Sequence, residues 1–128
     1  LQPTSPFRKS HHIDNCISLF KSDECDSVVS IVNVDGHHPF RMKKLIHNRL
    51  INYIDQGFED MRPRQKLPDV YIRNGAIYLI KRDILKNDKT LVGNKCFGYQ
   101  MDSYDSVNID SKLDLLLARV IKENKSLF

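Results

Sequence analysis

Hydrophobic residues recur at helical spacing in two places along the chain and run together as short β-branched stretches in two others. Ile13, Cys16, Ile17 and Phe20 fall on one helical face, which predicts a helix over about residues 11–21. Ser10 stands where an N-cap belongs, and Ser22-Asp23-Glu24 is placed to end the helix. Leu113, Leu116, Leu117, Val120 and Ile121 form a second stripe, on a helix reaching Asn124. Asp110 or Ser111 would cap it, with Ser111-x-x-Asp114 as a capping box. Ser27-Val28-Val29-Ser30-Ile31-Val32-Asn33-Val34 has the pattern of a parallel strand buried on both faces, and residues 76–80 repeat it. Residues 1–8 read as the end of a strand running into a loop. Strand, helix and strand then succeed one another in the order of a right-handed βαβ crossover. A short helix over 84–86, a turn at Asn87-Asp88-Lys89, a strand over 95–101 and a very short one over 107–109 complete the series. The expected class is α/β with a mainly parallel sheet.

Residues 36–68 break this rhythm. Lys43–Ile46 and residues 50–54 read as short extended pieces, separated by Asn48 and followed by 55–57. An irregular insertion of this length is uncommon unless it has a function, and an arm that packs on a second subunit is one such function. It runs into Arg62-Pro63-Arg64-Gln65-Lys66-Leu67-Pro68, where each proline lacks an N–H and pushes the residue before it out of the helical region. Arg62, Arg64 and Arg73, close to the next strand, suit a carboxylate or phosphate, which arginine grips with paired hydrogen bonds. Asn74-Gly75 reads as a turn that brings amides beside them. An ordinary loop with solvated arginines would carry the same pattern.

Composition narrows the picture only a little. The chain has 128 residues, of which 41% are hydrophobic and 28% charged, enough for one globular domain with a real core. No apolar run is long enough to span a membrane as a helix. The net charge is +4, a mild excess that fits an anionic small molecule as well as nucleic acid. Cys16, Cys25 and Cys96 are odd in number and contain no C-x-x-C pair, so they read as reduced thiols of a cytoplasmic protein. Leu1 stands within an apparent strand end, so the chain is expected to be a piece of a longer domain.

The candidate chemistry is sparse. His11-His12 and His37-His38 are adjacent pairs whose side chains diverge, and His47 is alone, so none forms a chelate by itself. Asn108 and Asp110 stand two apart, on one side of an extended segment, where two oxygens could ligate Mg²⁺ together with substrate phosphates. Asp110 is equally placed as a helix cap, and spacing alone favours the cap. No G-x-x-x-x-G-K-[ST] or G-x-G-x-x-G loop occurs, so a nucleotide's phosphate cradle would lie outside these residues.

Taken together, Leu1-Gln2-Pro3-Thr4-Ser5-Pro6-Phe7-Arg8 resembles the LQPTSPLR segment of the acylneuraminate (CMP-sialic, legionaminic or pseudaminic acid) cytidylyltransferases. Val28-Val29-Ser30, His37-His38-Pro39, Arg64-Gln65-x-Leu67-Pro68, Asn74-Gly75-Ala76-Ile77-Tyr78 and Asp110-x-x-Leu113-Asp114-Leu115 come after it in that family's order. The resemblance implies a partial Rossmann-like nucleotidyltransferase fold, three-layered with a mainly parallel sheet, of which residues 1–128 are the carboxy-terminal portion without the CTP loop. It implies that residues 36–68 are a dimerisation arm of a homodimer, and that CTP and a nine-carbon 2-keto sugar acid are joined with release of pyrophosphate, for surface polysaccharide or glycan synthesis. By motif match, Gln2, Thr4 and Ser5 should face the sugar. Arg64, with Gln65 beside it, should hold the acid's carboxylate, and Asn74 and Tyr78 should line the same pocket. Asp110, with Asn108, should ligate Mg²⁺, and Arg41 or Lys43 should be the arm's basic residue. Asn108 departs from the family's Asp-Ile-Asp and brings no negative charge. Neither nucleic acid nor a membrane is an expected partner. A shorter keto-deoxy acid as substrate, or a non-catalytic basic binding module, are the alternatives.

Overall fold

The computed structural model describes residues 1–21 and 25–124, so the helix stop expected at Ser22-Asp23-Glu24 lies outside the described residues. The elements are α1 (Ser10–Phe20), β1 (Ser27–Asn33), β2 (Lys43–Ile46), β3 (Arg49–Asn52), β4 (Tyr71–Ile80), α2 (Arg82–Asn87), β5 (Cys96–Gln100) and α3 (Lys112–Glu123), with 3-10 turns at Pro39–Arg41 and Arg64–Lys66. They form two compact units, one of Leu1–Val32 with Ile72–Phe128 and the other of Asn33–Tyr71.

The first unit is built on a three-stranded sheet in the order β4-β1-β5. β5 runs parallel to β1, with Ser27 opposite Cys96 and Ile31 opposite Gln100. β4 runs the other way. The Lys81 N–H donates to the Asp26 carbonyl at 3.0 Å and the Ile77 N–H to Ser30 Oγ at 2.8 Å, so partners descend β4 as they climb β1. The sheet is therefore mixed, where the sequence pattern suggested a mainly parallel one. A helical crossover is what returns a chain parallel to its start, and no α-helix lies between β1 and β4. Residues 1–8 form turns and residues 107–109 are not a strand; the two segments are joined by the Ile109 N–H donating to the Thr4 carbonyl at 2.9 Å.

The core occupies the predicted apolar positions. Cys16, Cys25, Val28, Ala76, Ile77 and Met101 are buried together, and Ile13 and Phe20 of α1 pack against them with Leu79, Phe97 and Tyr99. Ser27, Val28, Val29 and Ser30 are all buried, as expected of a strand covered on both faces. Burial pushes the Cys16 thiol up to about 11, which leaves it an inert core group. The cap of α1 is Lys9 and not Ser10, because His12 Nδ1 takes the Lys9 N–H at 3.1 Å. The other ring nitrogen faces Asp105 at 3.3 Å, and Lys9 Nζ holds the same carboxylate at 2.8 Å.

Two further expectations change. β4 continues through Asn74-Gly75 where the sequence suggested a turn; Gly75 takes φ +77° within the strand. The backbone conformation there requires glycine, and a Cβ would also displace the end of the Gln2 side chain, whose Oε1 occupies that space. On α3, Ala118 and Ile121 are buried, whereas Leu113, Leu116, Leu117 and Val120 of the predicted stripe are exposed. Periodicity predicted the helix correctly but not the face that the described residues cover.

In the second unit, β2 and β3 form an antiparallel hairpin, Lys43 opposite Asn52 and Ile46 opposite Arg49. Its turn residues His47 and Asn48 have φ +47° and +62°, the left-handed pair that matches strand twist. His38 is buried, with both ring nitrogens engaged. Its Nδ1 accepts the Phe40 N–H at 3.2 Å, which leaves Nε2–H to donate to the Pro68 carbonyl at 3.1 Å. Asp60 receives a two-armed bond from the Arg62 guanidinium, which holds its carboxyl down at about 2.

This packing sets the response to pH and to substitution. Burial, with His11 adding to it, pushes the His12 imidazole below its ordinary 6.5, although Asp105 and Asp102 pull the other way. The neutral form is the folded one, so stability is complete above about pH 6.5 and falls as pH drops below it, levelling off under the folded pKa. Melting curves between pH 8 and pH 5 should show that slope, and His12→Gln should flatten it; an unchanged slope in the variant would assign it elsewhere. Gly75→Ala forces an L side chain into the left-handed region at a cost of about 1 kcal/mol or more. Its melting temperature should fall by about 4–8 °C, and an unchanged value would show that the backbone there is free to relax.

Candidate active site

Four stretches far apart in sequence, with Val32 at the end of β1 as one of them, meet around a cavity of about 380 Å³ in the first unit. The opening loop contributes Gln2, and β4 contributes Arg73, Asn74, Gly75 and Tyr78. The segment before α3 contributes Asn108 and Asp110, with Ser106 ahead of them. Of the residues singled out by sequence, the structure thus brings Gln2, Asn74, Tyr78, Asn108 and Asp110 together.

The acidic end of this cavity resolves the competition between cap and ligand. Ser111 caps α3: its Oγ accepts the Asp114 N–H, and Asp114 returns the bond by accepting the Ser111 N–H at 2.7 Å. Asp114 is held below the usual carboxylate range by these bonds to Ser111 and Asp110. Asp110 is therefore not the cap, as its position suggested; only its backbone N–H joins the box, at 3.1 Å from Asp114. Its carboxylate accepts from Asn108 Nδ2 at 2.5 Å, and Asn108 Oδ1 is buried without a hydrogen-bond partner. An orphaned buried oxygen beside a carboxylate fits a cation or a hydrogen-bond donor. Among the described residues no cluster of three His, Cys, Asp or Glu side chains is placed to hold a metal. Mg²⁺ accepts such a partial set, because it keeps waters and takes the rest of its ligands from phosphates.

Asn74 lines the cavity, but its amide is engaged inward. Oδ1 accepts from Ser30 Oγ at 2.6 Å and from the Ala76 N–H at 3.1 Å, and Nδ2 donates to Ser106 Oγ at 2.9 Å. It shapes the wall. Thr4 contributes its carbonyl to Ile109, and Ser5 is buried with an unpartnered Oγ close to Gly75.

Arg64 and Gln65 belong to the second unit. They line a cavity of about 420 Å³ with Asp35 and His38, and the Arg64 guanidinium is paired with the Asp35 carboxylate. Arg41 donates to the Arg62 carbonyl at 3.0 Å, and Lys43 is paired with Glu59 and Asn52. Motif matching gives Arg73 no role. It is exposed, lines the first unit's cavity and makes no ion pair among the described residues. The signal for it is its place among the arginines close to the start of β4, where a carboxylate or phosphate would be gripped.

No family model matches the chain. Curated relatives do. The chain is 30% identical over 118 residues to the N-acylneuraminate cytidylyltransferase of Streptococcus agalactiae serotype V, covering 91% of this chain and 28% of the relative. It is 29% identical over 126 residues to the N-acylneuraminate cytidylyltransferase of Escherichia coli O18:K1:H7, covering 98% and 30%. It is 27% identical over 88 residues to the CMP-N,N'-diacetyllegionaminic acid synthase of Campylobacter jejuni, covering 69% and 36%. The chain thus spans about a third or less of the length of these relatives. Along nearly all of its own length it is an acylneuraminate cytidylyltransferase-like stretch of polypeptide.

Proposed function

We propose that this chain forms the sugar-acid side of an enzyme that transfers a cytidylyl group from CTP to a nine-carbon 2-keto sugar acid of the sialic-acid kind. The observation that carries the reading is the cavity. Its lining includes Gln2, Asn74, Gly75, Tyr78 and Asp110, from three of the segments that carry the family resemblance. The names of the relatives support the same chemistry. The fold proposed for the whole protein is a Rossmann-like nucleotidyltransferase.

In the reaction the anomeric oxygen of the acid bonds to the α-phosphorus of CTP while the bond to pyrophosphate breaks and the hydroxyl proton is lost. Such transfers depend mainly on positioning and on charge stabilisation. The Gln2 amide and the Tyr78 phenol would orient the acid through hydrogen bonds, on a wall held in shape by Asn74. Arg73 brings an unpaired cation to that wall. Asp110 and Asn108 would hold Mg²⁺, which would neutralise phosphate charge when bound. Motif match assigns Arg64 to the acid's carboxylate; in the structure it lines the second unit's own cavity, beside Asp35. The exposed apolar hairpin, with Leu45 at 70% and Leu50 at 72% exposure, supports residues 36–68 as an arm and a homodimer as the assembly. A basic nucleic-acid module finds less support, because Lys43, Arg62 and Arg64 each already face a carboxylate.

The reading is tested in a chimera in which this chain replaces the matching stretch of the Streptococcus agalactiae relative. With CTP, Mg²⁺ and a panel of sialic, legionaminic, pseudaminic and shorter keto-deoxy acids, the folded chimera should release pyrophosphate with a nine-carbon acid. None released with any acid would sink the reading, turnover with the shorter acids alone would change the substrate, and a monomeric mass would remove the dimer. In the same protein, Arg64→Ala should raise the KM for the acid about tenfold or more while the KM for CTP stays within about twofold. Equal effects on both substrates would take Arg64 out of this role, and the tenfold change appearing in Arg73→Ala alone would pass the carboxylate to Arg73.

A further inference from the structure

We infer that Arg8 is a positioning residue for Gln2, and through Gln2 for the bound acid; the inference rests on the function proposed above. In sequence, Arg8 closes the segment that carries Gln2, Thr4 and Ser5. The structure turns it away from the cavity that Gln2 lines. Its Nη1 donates to the Gln2 carbonyl at 3.1 Å and to the Ala76 carbonyl at 2.9 Å, bridging the opening loop to β4. Arg8 does not line the cavity that holds Gln2; it lines another, of about 340 Å³, with Lys9, Asp102 and Asp105. It therefore has no direct route to the substrate proposed for the Gln2 cavity.

The loop has little else to hold it. Residues 1–8 pair with no strand. Their other backbone ties are Thr4 to Ile109 at 2.9 Å and a long contact from the Ser5 N–H to the Gln2 carbonyl at 3.5 Å. Meanwhile the Gln2 side chain lies directly over Gly75, with Oε1 in the space that a Cβ would need. The amide can lie there only if the Gln2 backbone is fixed relative to β4, and the shared guanidinium provides that fix. Ala76 is fully buried, so its end of the bridge is anchored in the core. Both bonds leave from one nitrogen, Nη1, whose two N–H groups are held in the guanidinium plane; a lysine side chain ends one atom short of that position, and its ammonium is a point donor on a flexible stem. Lysine is thus the variant that keeps the charge and loses the reach of the bridge.

The test is a double-mutant cycle in the chimera: Arg8→Lys, Gln2→Ala and the two combined. Arg8→Lys should raise the KM for the acid about tenfold and leave the KM for CTP within about twofold, because misplacing a positioning group is felt only by the substrate it orients. Gln2→Ala should show the same split, and the double variant should be no worse than Gln2→Ala, since Arg8 acts only through Gln2. Additive losses, or equal losses for both substrates, would overturn the role of Arg8 while leaving that of Gln2 standing. If Gln2→Ala leaves the KM for the acid unchanged, the site reading itself fails, and the role of Arg8 fails with it. Arg8→Gln serves as the second variant should Arg8→Lys fold poorly, with the same outcomes.

Discussion

The buried amide of Asn74 is the constraint on which the first unit's cavity depends. It sits between Ser30 on β1, Ala76 on its own strand and Ser106 on the segment leading to α3. A buried amide left unpaired costs the full desolvation of its polar atoms, so this side chain holds three segments to one geometry or loses them all. Its effect on the neighbouring backbone is local and definite. Ala76 is turned to meet Oδ1, Gly75 before it takes the left-handed conformation, and the missing Cβ leaves the space that Gln2 fills. The cavity is shaped by polar satisfaction inside the protein more than by apolar packing.

The same logic separates the charged groups. In the second unit Lys43, Arg62 and Arg64 face Glu59, Asp60 and Asp35. The solvated pairs, Lys43–Glu59 and Arg64–Asp35, contribute little to stability, but they set what each cation does in the absence of a ligand. Arg62 is the most committed, gripping the buried Asp60 in two-armed geometry and passing its carbonyl to Arg41. Arg64 is the more available, since both it and Asp35 are about half exposed. Among the described residues Arg73 forms no ion pair, so it needs no exchange of partner there.

At the other end of the cavity, an oxygen side chain and a carboxylate two residues apart are released for chemistry because a neighbour takes over the structural task. Ser111 and Asp114 satisfy the first turn of α3 between them, so Asp110 does not have to. Asn108 then donates to Asp110 and leaves its own oxygen buried and unsatisfied. The absence of a negative charge at Asn108 weakens such a pair for a cation, and it is the Asn108 amide nitrogen that faces the Asp110 carboxylate.

Helices and strands were legible in the residues because their signal is local. The α1 stripe, the buried run of β1 and the capping box of α3 each arise from neighbours a few positions apart. The order of motifs likewise points to the cytidylyltransferases, and the relatives agree. What the residues alone could not carry was pairing across distance. The direction of β4, the inward turn of Asn74 and Arg8, the choice of Ser111 over Asp110 as cap and the exposed side of α3 are all settled by which partner reaches a polar or apolar group first. That is a property of three-dimensional neighbours, and spacing along a chain does not encode it. Sequence named the groups; only tertiary structure decided which of them are consumed in holding the fold and which are left facing the cavity.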